Sequence, residues 1–432
     1  MVANRVRCPV AAAVLALVLS LALSGCGLSG TGAVEPGAGP SSASETASQP
    51  ASQPAPDLED ELLEEARHQA AQYDYEAALA TVEGLAGETA EAVRADVKEQ
   101  KSRARAWPDN ATVPHLFFHS LIVDPERAFA PGPSAQGYDD YMVTLDEFEA
   151  VLASLYERGY VLVDPHDLAT MRDGVMTANP ILLPEDKKPL VLSQDDVNYY
   201  EYMTGDGFAT DLALDDDGAV TSTYIDADGE VHRGAYDLPT VVDAFVAEHP
   251  DFSYRGSKGV LAVTGYNGVL GYRTSATEYG DGAATRQARA EAKKVATALK
   301  DSGWVFASHT WGHLGMTDAS MARITRDAER WDAEVRPILG DTDLLIYPFG
   351  ADISGVPAYS GAKYRYLKSL GFDYFFGVDA TRTHWVQQTD DYLRQARINV
   401  DGLTLRAELE GKRDVLGAFF DVEDVYDSAR PD

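Results

Sequence analysis

The pattern of apolar and polar positions changes along the chain, and from about residue 111 short apolar runs alternate with helical segments. Strands are predicted at "VPHLFFHSLI", "PLVLSQDD", "KGVLAVTGY", "WVFASHT", "LLIYPFG" and "FDYFFGV", and helices at "TLDEFEAVLASLYERG", "DLPTVVDAFVAEHP" and "RQARAEAKKVATALKDSG". This alternation is typical of a parallel α/β sheet or barrel. In such folds the functional side chains gather at the C-terminal ends of the strands.

The segment before this region, residues 58–107, has helical periodicity. Apolar residues recur there every three or four positions, as at Leu62, Leu63, Ala66 and Ala70, which predicts a helical hairpin acting as a spacer or brace. The stretch "AAQYDYEAALATVEGL" also looks like half of a tetratricopeptide unit. A single unit does not form an array, so a peptide-binding repeat is the weaker alternative.

One segment breaks the strand–helix rhythm, at about residues 199–236. Two Asp-Gly turns, at 217–218 and 228–229, are flanked by alternating and β-branched residues, which predicts an inserted β-meander. The acidic run 215–217 suggests calcium, but it lacks the EF-hand spacing, so a solvated turn is expected. Because the insertion follows an Asp pair at a strand end, we expect it at the mouth of a groove, where it would influence substrate choice.

The N-terminus indicates the compartment. Two arginines precede an apolar run that is too short for a membrane span, and "LSGC" follows it. This arrangement resembles a bacterial lipobox, so residues 1–25 are predicted as a lipoprotein signal peptide and Cys26 as the lipid-anchored first residue. An ordinary signal peptide with a chance cysteine is the alternative. Residues 26–57, rich in Gly, Ser, Pro and Ala, are predicted as a flexible linker. We therefore expect an extracytoplasmic protein, lipid-anchored to the cell membrane of a bacterium.

The charge and the cysteine count exclude several classes of function. The formal net charge is −33, and a chain this acidic repels nucleic acid. The sequence has only two cysteines, and one of them, Cys8, lies in the predicted signal peptide. We therefore expect neither a disulfide nor a cysteine-based metal site, and no nucleic-acid partner.

Candidate metal ligands stand at two predicted strand ends. Asp195 and Asp196 close one strand, and His309 and His313 follow another at a spacing of four. A divalent metal such as zinc accepts imidazole and carboxylate ligands, and a catalytic site uses three of them and keeps one position open. Neighbouring strand residues point in different directions, so one aspartate can bind metal while the other faces the attacking water.

These motifs, in this order, resemble those of the polysaccharide deacetylases, carbohydrate esterase family 4, over roughly residues 111–405. The resemblance implies a distorted (β/α) barrel that removes acetyl groups from sugars with a divalent metal. It implies Asp195 as the general base and Asp196, His309 and His313 as the metal ligands, with zinc or another divalent transition metal bound.

Two further stretches match the family. The segment "YPFG", residues 347–350, is similar to the family's third motif, a groove wall whose backbone is able to donate to the oxyanion. The strand "RQARINV" is similar to a late family strand and makes Arg397 a candidate to orient the base. The chain departs from the family pattern at Val197, where glycine is usual, and at Ile346, where many members have arginine.

The family's late general-acid histidine is also missing. No histidine follows His384, and some circularly permuted branches take the acid from an early strand instead. "LFFHSLI" fits that arrangement and makes His119 the expected acid. His384, in a polar loop, is the weaker alternative, and His115 is interpreted as structural.

The function predicted from these residues is metal-dependent deacetylation of N-acetylated cell-envelope polysaccharide, peptidoglycan or a related glycan, by a hydrolase acting on amide bonds. Two alternatives stay open: a non-catalytic lipoprotein that binds cell-wall glycan, and an O-acetyl esterase acting on xylan-like glycans. Aromatic residues near the motifs provide either a stacking platform for sugar rings or ordinary packing: Tyr199, Tyr200, Tyr202, Tyr266 and Trp311.

Overall fold

The computed structural model describes residues 58–431. Sixteen β-strands lie within this range: β1 Arg105–Ala106, β2 His115–Phe118, β3 Tyr160–Leu162, β4 Ala169–Arg172, β5 Val175–Ala178, β6 Leu182–Leu183, β7 Lys188–Gln194, β8 Ala209–Leu214, β9 Val220–Ile225, β10 Val231–Gly234, β11 Gly259–Val263, β12 Trp304–Ser308, β13 Leu344–Ile346, β14 Tyr374–Val378, β15 Val386–Gln388 and β16 Leu393–Asn399.

The same range contains fifteen α-helices: α1 Leu58–Ala71, α2 Tyr75–Thr81, α3 Glu88–Arg103, α4 Pro125–Ala128, α5 Ala135–Tyr141, α6 Leu145–Glu157, α7 Pro165–Leu168, α8 Leu238–Glu248, α9 Ala276–Tyr279, α10 Ala283–Asp301, α11 Met321–Glu334, α12 Arg336–Leu339, α13 Gly361–Ser369, α14 Gly402–Leu409 and α15 Val422–Val425.

Seven parallel strands close into a barrel. Their order is β11-β12-β13-β14-β16-β2-β7, and the pairing of β7 with β11 completes the ring. The ring is irregular, because β3 adds to β7 on the outside and β15 pairs antiparallel to β16. Helices connect most of the barrel strands, as parallel neighbours require. The predicted distorted (β/α) barrel is confirmed.

The alternation of side chains along the strands separates two layers of core. In β11, Val260 and Ala262 pack with Ile346 and Phe376 in the barrel interior. Their neighbours Leu261 and Val263 pack outward with the surrounding helices, because successive strand residues point to opposite faces. Strands buried on both faces explain why these segments read as continuous apolar runs rather than as alternating ones.

The predicted helix at "TLDEFEAVLASLYERG" shows how local sequence sets an element's start. Thr144 caps α6: its hydroxyl accepts from the N–H of Glu147, and the Glu147 carboxylate accepts from the N–H of Thr144. This capping box satisfies two backbone donors that a helix N-terminus otherwise leaves unpaired. The helix predicted for this segment therefore begins directly after its first residue, Thr144.

The N-terminal segment contains three helices, α1 to α3, where a two-helix hairpin was expected. The short additional helix, α2, begins where Asp74 caps it through the N–H of Ala77. The segment contacts the chain that leads into β11: the Tyr73 hydroxyl donates to the carbonyl of Asp251 at 2.6 Å, and the Arg255 N–H donates to the carbonyl of Gln72. The helices therefore pack at the N-terminal end of the barrel, as a brace would.

The predicted meander forms a three-stranded antiparallel sheet of β8, β9 and β10. Leu212 in β8 is fully buried, and Ser222 in β9 is hydrogen-bonded to Thr240 of α8 at 2.7 Å. The expectation that the meander stands at the mouth of the groove is wrong for its three strands, because none of them lines the site cavity. The meander thus packs on the domain's core through β8 and β9, and much of β10 and both turns are exposed.

The acidic turn of the meander behaves as a solvated turn. One oxygen of the Asp215 carboxylate accepts from the N–H groups of Asp217 and Ala219, and residues 215–217 are exposed. The hydrogen bonds of this carboxylate are thus made within the turn itself.

The predicted signal peptide, Cys26 and the linker 26–57 lie outside the described residues. Within 58–431, no helix is both long enough and apolar enough to cross a membrane.

Candidate active site

A cavity of about 630 Å³ lies at the C-terminal end of the barrel. Most of the predicted site residues line it, because they follow directly on barrel strands: His119 after β2, the Asp pair after β7, and the first histidine of the pair after β12. Arg397 instead lies within β16 and is fully buried. Five predicted site residues line the cavity, with the ring of Phe349 beside them: His119, Asp195, Asp196, His309 and His313. The C-terminal ends of parallel strands therefore bring together motifs that are far apart in the sequence.

Asp195 is paired with the arginine predicted to orient it. The guanidinium of Arg397 donates to both carboxylate oxygens, at 2.6 and 2.8 Å. Burial alone would raise the pKa of this carboxyl, but the charge and hydrogen bonds of Arg397 and the neighbouring imidazoles together outweigh burial and hold the pKa well below its ordinary value. Asp195 is therefore a carboxylate, held in one orientation.

The three predicted metal ligands converge beside this pair. Asp196, His309 and His313 each offer a ligand atom, and these atoms all lie within 4.8 Å of one another. The carboxylate Oδ2 of Asp196 is 3.7 Å from the Nε2 of His313. One carboxylate and two imidazoles are a donor set that zinc and similar divalent metals bind, so the residues present fit the ion that the sequence predicts.

The surroundings of both histidines favour a ring nitrogen with a free lone pair, which a metal ligand needs. The Nδ1 of His309 lies 2.9 Å from the carbonyl oxygen of Ile346, so Nδ1 carries the proton and Nε2 keeps its lone pair for the cavity. Burial lowers the pKa of His313 below its ordinary value, which favours the neutral imidazole that a metal requires.

The backbone of the site is strained at four positions, two of which are predicted metal ligands. Asp196, Thr310, His313 and Phe349 all have positive φ, at 59°, 62°, 51° and 59°. Such conformations cost about 1–3 kcal/mol for each residue and persist only where the surroundings enforce them. The carboxylate of Asp327 accepts from the N–H groups of Trp311 and Gly312 and so fixes the loop that carries both histidines.

The structure separates the histidines that the sequence offered as candidate acids. His119 lines the cavity, whereas His384 is exposed, and its ring contacts its own neighbour Thr383. His115 lies inside the barrel, hydrogen-bonded to Ser193 and Gln395, and burial lowers its pKa well below the ordinary value. That position agrees with the structural interpretation of His115.

The third motif forms one wall of the cavity. Phe349 is 77% exposed, and the edge of its ring packs against His313, with the ring centroids 4.3 Å apart. The N–H of Tyr347 donates to Phe376, and that of Gly350 donates to Tyr347. Pro348 has no N–H. Phe349 is therefore the one residue of this motif whose backbone N–H is present and makes neither of these bonds.

The aromatic residues considered as a stacking platform have different roles. Tyr199 and Trp311 are buried, and their polar atoms donate to the carboxylates of Asp237 and Glu334. Tyr202 is 58% exposed and lines the cavity. The cavity wall also includes aromatic residues of α5 that sequence reasoning missed, among them Tyr141, because nothing in that helix marks it as part of a site.

Sequence reasoning also missed a contact beneath the metal ligands. The hydroxyl of Tyr200 donates to the Oδ1 of Asp196 at 2.5 Å. Burial raises the pKa of this hydroxyl well above its ordinary value, so it stays protonated as a donor. The sequence signal was a tyrosine four residues after a candidate ligand, which by itself does not distinguish a hydrogen bond from packing.

Comparison with known proteins agrees with this geometry. Residues 271–375 match the sequence profile of the family described as Polysaccharide deacetylase. The matched range contains His309, His313 and the "YPFG" wall, and the Asp pair lies before it. No curated protein matches the chain.

A solved structure of the deacetylase PplD from Streptococcus pyogenes, in complex with acetate, is similar at 15% sequence identity and a TM-score of 0.38. The alignment covers 70% of this chain and 98% of that chain.

The profile match identifies the class of protein: a hydrolase that acts on amide carbon–nitrogen bonds. Over residues 271–375 the chain is similar to the polysaccharide deacetylase family.

Proposed function

We propose that this protein removes acetyl groups from an N-acetylated cell-envelope polysaccharide, peptidoglycan or a related glycan, with the help of one divalent metal ion. The observation that carries the proposal is the convergence of Asp196, His309 and His313 directly beside the buried pair of Asp195 and Arg397. A ligand triad and a fixed carboxylate base are two of the parts that metal-assisted hydrolysis of an acetyl group uses.

The metal site follows from the donor atoms. Asp196 Oδ2, His309 Nε2 and His313 Nε2 would hold a zinc ion or another divalent transition metal. Such an ion, when bound, polarises the acetyl carbonyl and makes a water molecule more acidic.

The proton transfers belong to the chain's own residues. Asp195 takes a proton from the attacking water while the oxygen of that water bonds to the acetyl carbon. The Phe349 N–H is the available backbone donor for the carbonyl oxygen as negative charge develops there. His119 gives a proton to the leaving nitrogen, so the carbon–nitrogen bond breaks to release acetate and an amine. Arg397 holds Asp195 in place throughout.

The walls of the cavity support a sugar as the substrate. Tyr141, Tyr202 and Phe349 are 53%, 58% and 77% exposed, and all three line the cavity. Their rings offer flat apolar faces, against which the C–H face of a pyranose ring is able to pack. Exposed aromatic residues gathered at one cavity mark a binding surface rather than a core.

An envelope glycan as substrate agrees with the N-terminal sequence. The lipobox-like "LSGC" supports anchoring through lipid at Cys26, on the outer side of a bacterial cell membrane. A Cys26→Ala form should then lose membrane association or stay unprocessed, which fractionation of expressing cells measures. Unchanged membrane retention of this variant would contradict the anchor.

The function is tested by acetate release from N-acetylated chito-oligosaccharide and from peptidoglycan, before and after chelation. We expect release by the wild-type protein, loss on chelation and recovery with added zinc or cobalt. His313→Ala should lose both stoichiometric metal and activity while keeping its fold, since this side chain is only partly buried. Release from acetyl-xylan alone would favour the O-acetyl esterase, and glycan binding without release would favour the non-catalytic lipoprotein.

A further inference from the structure

Tyr200 stands directly behind one of the proposed metal ligands. Its hydroxyl donates to Oδ1 of Asp196 at 2.5 Å. The other oxygen of the same carboxylate, Oδ2, is the one that faces His313, at 3.7 Å from Nε2. The two oxygens of Asp196 therefore have different surroundings: one is bonded to a phenol and the other is directed at the ligand cluster.

The ring of Tyr200 is held from both sides. It is 3% exposed and lies between the rings of Tyr202 and Tyr266, with centroid distances of 5.6 and 4.8 Å and interplanar angles of 15° and 14°. The hydroxyl also lies 2.9 Å from the hydroxyl of Thr264, just after β11. Since the single proton of Tyr200 goes to Asp196, Thr264 donates to Tyr200. Both the ring and the direction of its O–H bond are thus fixed.

Asp196 needs such support, because its own backbone does not supply it. It sits at φ 59° in a loop between β7 and the meander, a conformation that a non-glycine residue keeps only when neighbours enforce it. A hydrogen bond to the non-ligating oxygen prevents rotation of the carboxylate and directs the remaining oxygen to the metal. Partners of this kind typically change metal affinity about 10–100-fold when they are removed.

We propose that Tyr200 is a positioning residue for the metal site: it holds Asp196 as a one-oxygen ligand. This inference rests on the proposed function, since it takes Asp196 to be a ligand. It adds a residue that the deacetylase motifs do not contain, and it makes the stacked tyrosines part of the metal site. The exposed ring of this stack, Tyr202, lines the cavity.

The neighbouring residue provides a matched control. Tyr199 is also 3% exposed, and its hydroxyl donates to a carboxylate, Asp237 Oδ2, at 2.6 Å. Asp237 caps α8 and is not among the ligands. Tyr199→Phe and Tyr200→Phe therefore each remove a hydroxyl from an equally buried tyrosine, and the two residues are neighbours in sequence. They differ in one respect: the carboxylate that loses its hydrogen bond is a proposed metal ligand only in Tyr200→Phe.

The experiment is titration of the metal-free full chain with Zn²⁺ and with Co²⁺, following heat and the visible absorption of cobalt. We expect Tyr200→Phe to weaken binding about 10–100-fold and to change the cobalt spectrum, and Tyr199→Phe to leave both unchanged. A circular-dichroism melt of each metal-free variant checks the fold. If Tyr200→Phe is unfolded, Thr264→Val, which removes the support of the hydroxyl, should weaken binding in the same direction.

The outcomes separate the two proposals. If the wild-type protein takes up neither metal, the proposed function fails and the inference fails with it. If the wild-type protein binds and Tyr200→Phe binds equally well with the same cobalt spectrum, only the inference is overturned. Equal weakening by both tyrosine variants would also overturn it, because the loss would then be a general effect of removing a buried hydroxyl.

Discussion

Arg397 donates to both carboxylate oxygens of Asp195, and the two side chains are 0% and 5% exposed. Breaking a pair this deeply buried lowers the free energy of unfolding more than breaking an ion pair on the surface does. Removing one partner leaves the other charge buried without compensation, which typically costs about 3–5 kcal/mol.

We therefore expect Arg397→Gln to lower the free energy of unfolding by about 3–5 kcal/mol in urea titrations. Adding Asp195→Asn to that variant should restore part of the loss, because no buried charge then remains unpaired. The exposed pair of Arg382 and Asp379 is a matched control, and Arg382→Gln should cost about 0–1 kcal/mol. If Arg397→Gln and Arg382→Gln lower the free energy of unfolding equally, burial of the Asp195 pair does not increase its contribution to stability.

The base and the acid are separable by single substitutions. Asp195→Asn keeps the shape of the side chain and removes its basicity, and His119→Ala removes the proposed acid. Each should lower turnover about 10²–10⁴-fold with metal still bound, measured as acetate release and by metal analysis. His384→Ala should have no effect, because this residue lies outside the cavity. A silent His119→Ala together with a damaging His384→Ala would reverse the assignment.

His166 predicts a pH dependence of stability that does not involve the active site. Burial opposes charge on its ring, but hydrogen bonds to Asp164 and Asp343, at 2.5 and 3.0 Å, together with their charges raise its pKa to about 10. The folded state thus binds this proton more tightly than the unfolded state, whose pKa is near the ordinary 6.5. The stabilisation is complete below about pH 6.5 and is lost as the pH rises through about 10.

The measurement is the difference in unfolding free energy between the wild type and His166→Gln across that range. We expect a positive difference at pH 6 that shrinks towards pH 10. Taking the difference cancels the tyrosines and lysines that titrate in the same range. A difference that stays constant with pH would show that the folded protein does not hold the extra proton.

The meander should behave as core rather than as decoration. Leu212 in β8 is fully buried, and Leu212→Ala should cost about 2–5 kcal/mol. Ile225 in β9 is 38% exposed, and Ile225→Ala should change stability by about 0.5 kcal/mol or less. Chemical denaturation of both variants tests this, and a meander able to detach from the barrel would give small values at both positions.

The barrel and the convergence of the three proposed ligands could be predicted from the sequence because both depend on strand ends. A continuous apolar run identifies a buried strand, and the polar residue that follows it must lie at the same rim as the others. Asp196, His309 and His313 converge for that reason. The contact of Arg397 with Asp195 could be predicted only with the family pattern as well. An arginine within a predicted strand does not by itself show which carboxylate it pairs with.

Other features could not be predicted because they depend on packing between distant segments. The hydrogen bond of Tyr200 needs the positive φ of Asp196 and the position of Thr264 in three dimensions. The meander was expected at the mouth of the groove because it is inserted next to the Asp pair. Its apolar residues instead pack against α8, which its point of insertion does not reveal. The break between α1 and α2 could not be predicted, because the apolar periodicity continues across it, from Ala70 to Ala77 and Ala78.

The three N-terminal helices close the barrel at the end opposite the cavity. Among the described residues the barrel is thus open at one end, so whatever binds in the cavity enters and leaves by the same rim.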